Sequence, residues 1–411
     1  MAPQAVRRQL DLLHRAATFR LLFGATLASG LGTWLAVIAL TIDVKERTNS
    51  GAWVSALLIA DFLPAVAIGL TLSSLVDRLS RKRLMVGADL LRFAVFCALP
   101  FAGSATVIVA LAAVAGVATG FFRPAQWAGV PNLVAEEDLP TANSLVRTAE
   151  MATTTIGTLL GGAVTAAAGP HLAYWLNAAS FLISAALLVR ISGRLLQTEV
   201  AVSHGHWRDV GEGLALIRGS RALLTVLVVW NLVMISNALV NVSEVFLATV
   251  SFHAGRFGYG LLWAGSGLGL ALGSVFGPSW LESRGIRVVY GGSIAVMAFG
   301  ALATALSPNV WVGVWCLVLA GTGNGAAVVY NYLLVQRGAP DQVRGRVLTV
   351  LMGSTFAVLG LGMVCAGPLT DAVGARWTWG IASGFAALAA LVGFAMVPRE
   401  QPEAKAEPVA V

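Results

Sequence analysis

Charged side chains are scarce in this chain of 411 residues, 11% against 57% apolar, where a soluble globular protein carries about 25% charged residues. So little charge cannot cover a water-facing surface, which excludes a soluble globular fold. Lysine is scarcer still. Lys45, Lys82 and Lys405 are followed by Glu46, Arg83 and Ala406, so Gly-Lys-Ser/Thr does not occur and ATP coupling through this chain is excluded. Cys97, Cys316 and Cys365 lie in separate apolar blocks without CxxC spacing. That argues against a disulfide framework or a zinc site, and they read as small residues of the interior. His14, His171, His204, His206 and His253 all fall outside the apolar blocks, which excludes a buried histidine relay. No Ser/His/Asp constellation or metal spacing lies within reach of a membrane cavity, so no enzyme is expected. The glycine runs at Gly265–Gly269 and Gly321–Gly325 sit inside apolar blocks with no strand before them; no cofactor loop is expected either.

What is present is a succession of apolar blocks of the length that crosses hydrocarbon, roughly 20 residues each. They fall near residues 19–42, 53–75, 84–103, 105–122, 141–169 and 172–190, then 222–250, 258–281, 287–306, 309–334, 346–370 and 377–397. The first is too long for a signal h-region and lacks an Ala-x-Ala exit, so it stays as a helix. The expectation is an all-α membrane protein of twelve spans. Lys and Arg favour cytoplasmic loops. With the N-terminus inside, only Lys45, Arg47, Arg256 and Arg376 of the 27 Lys and Arg fall outside, and Arg92 and Arg147 lie just within spans. The net charge of +7 is therefore a topology signal, with no need of a nucleic-acid partner. Both termini are expected in the cytoplasm of a bacterium, with the chain in its inner membrane.

The two halves align at a displacement of roughly 202 to 206 positions: Trp53 falls near Tyr259, Asp77 near Glu282 and Glu137 near Asp341. A six-helix repeat implies a pseudo-twofold axis with a site between the halves. The division read from this is a cytoplasmic segment 1–18, a first bundle 19–190, a linker 191–221, a second bundle 222–397 and a disordered tail 398–411. In the linker, Trp207, Val210, Leu214 and Ile217 stand at helical spacing among charges, which predicts a helix lying on the membrane surface.

The most specific motif follows the second span: Ser73-Ser-Leu-Val-Asp77-Arg78-Leu-Ser80-Arg81-Lys82-Arg83. It resembles the loop signature of the major facilitator superfamily, Gly-x-x-x-Asp-Arg-x-Gly-Arg-Arg, with serines at both glycine positions. Asp77, Arg78, Arg81 and Lys82 match, and the resemblance implies that they latch the cytoplasmic side. Ala88-Asp89-Leu-Leu-Arg92, Arg123-Pro124-Ala125, Pro131-Asn132-Leu133-Val134, Ala142-Asn143-Ser144-Leu145 and Arg344-Gly345-Arg346-Val347 resemble the branch with macrolide-efflux and enterobactin-exporter proteins. Gly157-Thr158-Leu-Leu-Gly161-Gly162 is similar to the antiporter motif Gly-Pro-x-x-Gly-Gly, with Thr158 in place of the proline. The resemblance implies two six-helix bundles and proton-coupled export, by alternating access, of a small hydrophobic or amphipathic molecule such as a drug, siderophore or secondary metabolite. It also implies function as a monomer within the lipid bilayer. An importer of the same fold, or a membrane sensor that no longer transports, stays open.

Site candidates follow from the cost of charge in hydrocarbon, roughly 2.5 to 3.5 kcal/mol on insertion scales. Asp61 lies about 12 Å into the second span at helical rise, and Glu244 about 9 Å from the outer end of the seventh. Glu244 shares a face with Asn237 and Asn241, a polar stripe expected to meet a wet cavity or another helix. Asp61 and Glu244 are the candidate proton carriers. Asp89 with Arg92, and Arg147 with Glu150, are i, i+3 pairs near the cytoplasmic face and are read as part of the latch network. Trp34 and Trp230, with Asn237, Asn241 and Asn331, are candidates to line the substrate cavity. Gly265, Gly269, Gly273 and Gly277 recur every fourth residue, the spacing of a close helix-packing seam.

Overall fold

The computed structural model describes residues 2–71, 79–196 and 206–397. The predicted latch residues Asp77 and Arg78, and the tail from 398, lie outside the described residues. Twelve of the described helices are long and apolar enough to cross a membrane. The first six are α2 (Ala17–Thr48), α3 (Gly51–Thr71), α4 (Arg81–Ala98), α5 (Ala105–Gly129), α6 (Leu139–Ala168) and α7 (Pro170–Val189). The last six are α9 (Arg221–Phe246), α10 (Gly255–Arg284), α11 (Ile286–Leu306), α12 (Val310–Gly338), α13 (Asp341–Val373) and α14 (Ala375–Met396). Ahead of them α1 (Ala2–Arg15) is a helix where the sequence suggested only a segment. It is pinned by buried Leu12 and by an Arg15–Asp138 ion pair of 2.6 Å.

Capping chemistry repeats with the bundles. Ser104 caps α5 by accepting from the Val107 amide, and Asn309 caps α12 by accepting from the Val312 amide. Gly169 and Gly374, at φ +79° and +81°, turn α6 into α7 and α13 into α14, a backbone region that favours glycine. Each pair is 205 positions apart, inside the displacement read from the sequence. Packing repeats too: α2 on α7 and α9 on α14, α3 on α5 and α10 on α12, α4 on α7 and α11 on α14. The result is two pseudo-symmetric six-helix bundles.

Helix surfaces in lipid approach closely only where side chains are small. A Cβ on Gly161 would meet the Leu35 carbonyl oxygen at 2.6 Å, and one on Gly277 would meet Ala326 at 3.1 Å. The Gly265–Gly277 stripe packs α10 along its length on α12, with Gly321 and Gly325 facing it. Trp175, Trp311, Trp315 and Trp377 are exposed on the outside of the bundles, as an aromatic belt requires. Cys365 departs from its reading as an interior residue and is exposed. The linker helix α8 (His206–Gly219) packs on the second bundle. Ile217 is fully buried, Glu212 pairs with Arg346 at 2.7 Å, and a Cβ on Gly213 would meet the Arg346 carbonyl at 2.8 Å.

The bundles meet along two seams, α6 on α10 and α3 on α13. One apolar cluster crosses between them, joining Leu35, Leu57 and Ala178 to Leu239, Tyr259 and Met363. Two further clusters, one per bundle, fill the opposite ends without merging. The crossing cluster lies at the face where α2 ends and α3 begins, called here the far face. The separate clusters lie at the basic face, where α2 begins and α14 ends.

Candidate functional site

Two polar clasps hold the far face. At the first, the carboxylate of Asp371, in the last turn of α13, accepts from the amides of Gly51 at 2.5 Å and Ala52 at 3.2 Å, and from the Ser50 hydroxyl at 3.0 Å. It caps the N-terminus of α3 from the other bundle, where the amides and helix dipole favour an anion. At the second, Arg256 of α10 makes a two-pronged pair with Glu46, both contacts 2.8 Å, and donates to the Thr165 carbonyl at 3.0 Å. Between the clasps the backbones touch: a Cβ on Gly162 would meet Gly260 Cα at 2.9 Å, and one on Gly51 would meet the Gly367 carbonyl at 2.6 Å. Midway in, Trp34 packs against Trp263 with centroids 5.7 Å apart, and Phe62 against Phe356 at 5.5 Å. Nearer the basic face, Gly69 on α3 and Gly353 on α13 would meet nothing within 4 Å of an added Cβ.

The two bundles carry cavities with unlike walls. On the first bundle a cavity of about 260 Å³ is lined by Thr26, Ser29, Thr33, Trp34, Arg123, Gln126 and Glu150, with Gly267 and Leu270 of the second bundle closing one side. Its hydroxyls are held in place: Gln126 donates to Thr26 at 2.7 Å, while Thr26, Ser29 and Thr33 donate to carbonyls one turn back. On the second bundle a cavity of about 290 Å³ is lined by Trp230, Met234, Asn331, Tyr332, Leu351 and Phe356, an almost wholly apolar wall. Asn331 is fixed there by the Tyr290 hydroxyl, which donates to its Oδ1 at 2.7 Å.

The predicted site residues scatter over this frame. Trp34, Trp230 and Asn331 line cavities; Asn237 and Asn241 are half-buried on α9 away from both. Glu244 is 3% exposed, and one of its carboxylate oxygens has no hydrogen-bond partner. It is occluded in the far-face seam rather than standing in a wet cavity. Tyr259 of α10, to which the sequence reading gave no site role, is fully buried and lies near enough for the charge of Glu244 to act on it. A one-turn π-helix, Leu247–Ser251, follows at once, a local irregularity often found beside functional residues. Asp61 sits half-buried on α3, where Gly116 of α5 packs on its backbone, and the charges acting on it are Arg123 and Arg92.

Of the predicted latch, Asp89 and Arg92 are buried within the first bundle, Arg92 at the edge of its cavity. Arg92 donates to Asp89 at 2.5 Å, Ser184 donates to Asp89 at 2.6 Å, and the guanidinium lies 4.4 Å from the centroids of both Phe122 and Phe181. None of these partners belongs to the second bundle. Arg147 reaches Glu150 at 3.3 Å and lies over the Trp127 ring at 4.7 Å, so Glu150 faces the cavity as much as the latch. Arg81 donates to the carbonyls of Ala128 and Leu196, and Lys82 to that of Val189. In this state both basic residues tie helix ends within one bundle together.

Comparison with known proteins agrees with the architecture. The chain is 26% identical over 386 residues to the multidrug efflux pump Tap of Mycobacterium tuberculosis (strain ATCC 25618 / H37Rv), covering 89% of this chain and 90% of that one. It is 26% identical over 349 residues to the putative bacilysin exporter BacE of Bacillus amyloliquefaciens, covering 83% and 86%. Among solved structures, a bacterial homologue of the iron transporter ferroportin in an inward-facing state superposes with a TM-score of 0.71 at 19% identity, covering 94% and 100%. Superfamily members of this kind are transporters, not enzymes. The profile of the transmembrane secretion effectors matches residues 13–410, and the chain accordingly belongs to that family of the major facilitator superfamily.

Proposed function

We propose that this chain is a secondary active exporter of small amphipathic molecules in the bacterial inner membrane, with both termini cytoplasmic and protons as the coupling ion. The observation that carries the reading is the asymmetry of the seam: two clasps and a continuous apolar cluster join the bundles at the far face, while the cavity walls part toward the basic face. Positive charge marks that basic face as cytoplasmic, so this is the state that takes up solute from inside. A hydroxyl-rich, charged wall opposite an apolar, aromatic one suits a molecule with a polar end and a hydrophobic body. The relatives Tap and BacE are named as pumps or exporters, which favours efflux over import.

Coupling follows from Glu244. Closing the seam around an ionised Glu244 leaves a charge without a partner in hydrocarbon, whereas closing it around the protonated acid does not. Proton occupancy is thereby linked to which face is shut, with Asp61 as the alternative carrier. The Asp77 loop is the latch that closes the basic face in the opposite state.

The test is flux in everted membrane vesicles from cells expressing the chain, with a lipophilic fluorescent cation as probe. An imposed proton gradient should drive accumulation, and Asp77→Asn should abolish it while the protein remains in the membrane. No accumulation under any imposed gradient would overturn export; undiminished flux in the variant would remove the latch.

A further inference from the structure

Away from the seam, where the first bundle faces lipid at its basic end, a groove of about 800 Å³ opens between the start of α4 and the end of α7. Lys82, Arg83 and Arg194 rim it, Leu90 and Val189 form its floor, and no Asp or Glu among the described residues lines it. Lys82 is committed, donating to the Val189 carbonyl at 2.6 Å. Arg83 and Arg194 are exposed, and their side chains make no hydrogen bond or ion pair among the described residues. Immediately below them, Leu90 is 47% and Val189 55% exposed, on helices that cross the membrane.

The second bundle shows that packing alone does not call for this charge. At the matching corner Arg287 donates to the Phe394 carbonyl, reproducing what Lys82 does. The next position carries Val288, 49% exposed, where the first bundle has Arg83. A cation that ties two helix ends together is thus common to both halves, and Arg83 is the charge that the second half does not repeat.

A ligand that satisfies both parts has an anion at the rim and hydrocarbon below it. We propose that the groove is a binding site for an anionic phospholipid, the phosphate held by Arg83 and Arg194 and an acyl chain lying along Leu90 and Val189. Basic pockets between membrane helices on the cytoplasmic side recognise such headgroups through the same combination of charge and depth. The site is independent of which solute crosses the protein.

Native mass spectrometry of the purified full-length protein, titrated with phosphatidylglycerol and with phosphatidylcholine, tests this. The unaltered protein should retain phosphatidylglycerol at concentrations about tenfold lower than R83Q/R194Q does. R83K/R194K, which keeps the charge, and R7Q/R8Q, which removes the same charge from α1, should both retain it like the unaltered protein. Equal retention by R83Q/R194Q would overturn the site. Equal loss in R7Q/R8Q would do so by showing diffuse attraction, and equal binding of phosphatidylcholine by showing a merely apolar groove. Displacement of the lipid by millimolar inorganic phosphate would instead identify a free-anion site and overturn it too.

Discussion

At the scale of single residues, the decisive contrast is between acids with partners and acids without. Asp43 shares its carboxylate between Arg47 at 2.6 Å and the Tyr174 hydroxyl at 2.8 Å, and Asp89 is satisfied by Arg92 and Ser184. Both therefore read as structural members of the first bundle. Glu244 leaves an oxygen unpartnered at the seam between bundles, where proton binding and closure bear on each other. Glu244→Gln should therefore hold the far face shut and lower gradient-driven flux in everted vesicles at least tenfold, a barrier change of about 1.4 kcal/mol or more. Solute binding, read by tryptophan quenching at Trp230, should persist. Flux at the normal level in both Glu244→Gln and Asp61→Asn would end the assignment of protons to these acids. The depth of Glu244 in its span was legible from the sequence. Its isolation was not, because that depends on residues of another helix, Tyr259 among them, which α10 brings near.

At the scale of elements, glycine placement separates packing from vacancy. A Cβ on Gly269 would lie 2.9 Å from Gly321 Cα on α12, and one on Gly384 would meet nothing within 4 Å. Overpacking typically costs 1–3 kcal/mol, so Gly269→Ala should lower the thermal midpoint of the purified protein by several degrees. Gly384→Ala should leave the midpoint unchanged or raise it, since alanine is the better helix former by about 1 kcal/mol. Equal midpoints for the two variants would mean that the α10–α12 seam is not the close contact described. The every-fourth-residue stripe announced such a seam. Which helix it serves had to come from the fold, as Gly157 and Gly161 turn to α2 within their bundle while neighbouring Gly162 turns across to Gly260.

At the scale of the whole molecule, alternation needs two arrangements separated by a small free-energy gap, and the far-face clasps bias that gap. Removing a charged partner costs about 1.5–3 kcal/mol for a hydrogen bond of this kind, so Asp371→Ala should move the population toward the far-face-open state roughly tenfold or more. Spin labels at positions 103 and 308, on far-face loops of the two bundles, should report a longer distance in the variant. A distribution identical to the unaltered protein would show that the clasp does not set the balance. Asp371 carries no signal in the sequence, because an acid at a helix end is ordinary until its partner, the start of α3, is seen to belong to the other half.

The sequence by itself determined twelve spans and the twofold repeat, and it supplies the expectation of sidedness through the positive-inside rule. Each rests on terms local to the chain: the apolar length that crosses hydrocarbon, the cost of moving charge through it, and turn and capping residues recurring 205 positions apart. Only the tertiary structure decided which face is shut, which wall of the cavity is polar, and which acid stands without a partner. These depend on contacts between helices distant in the chain, and lipid, being as apolar as the helix surfaces, does not dictate such contacts from hydrophobic pattern alone.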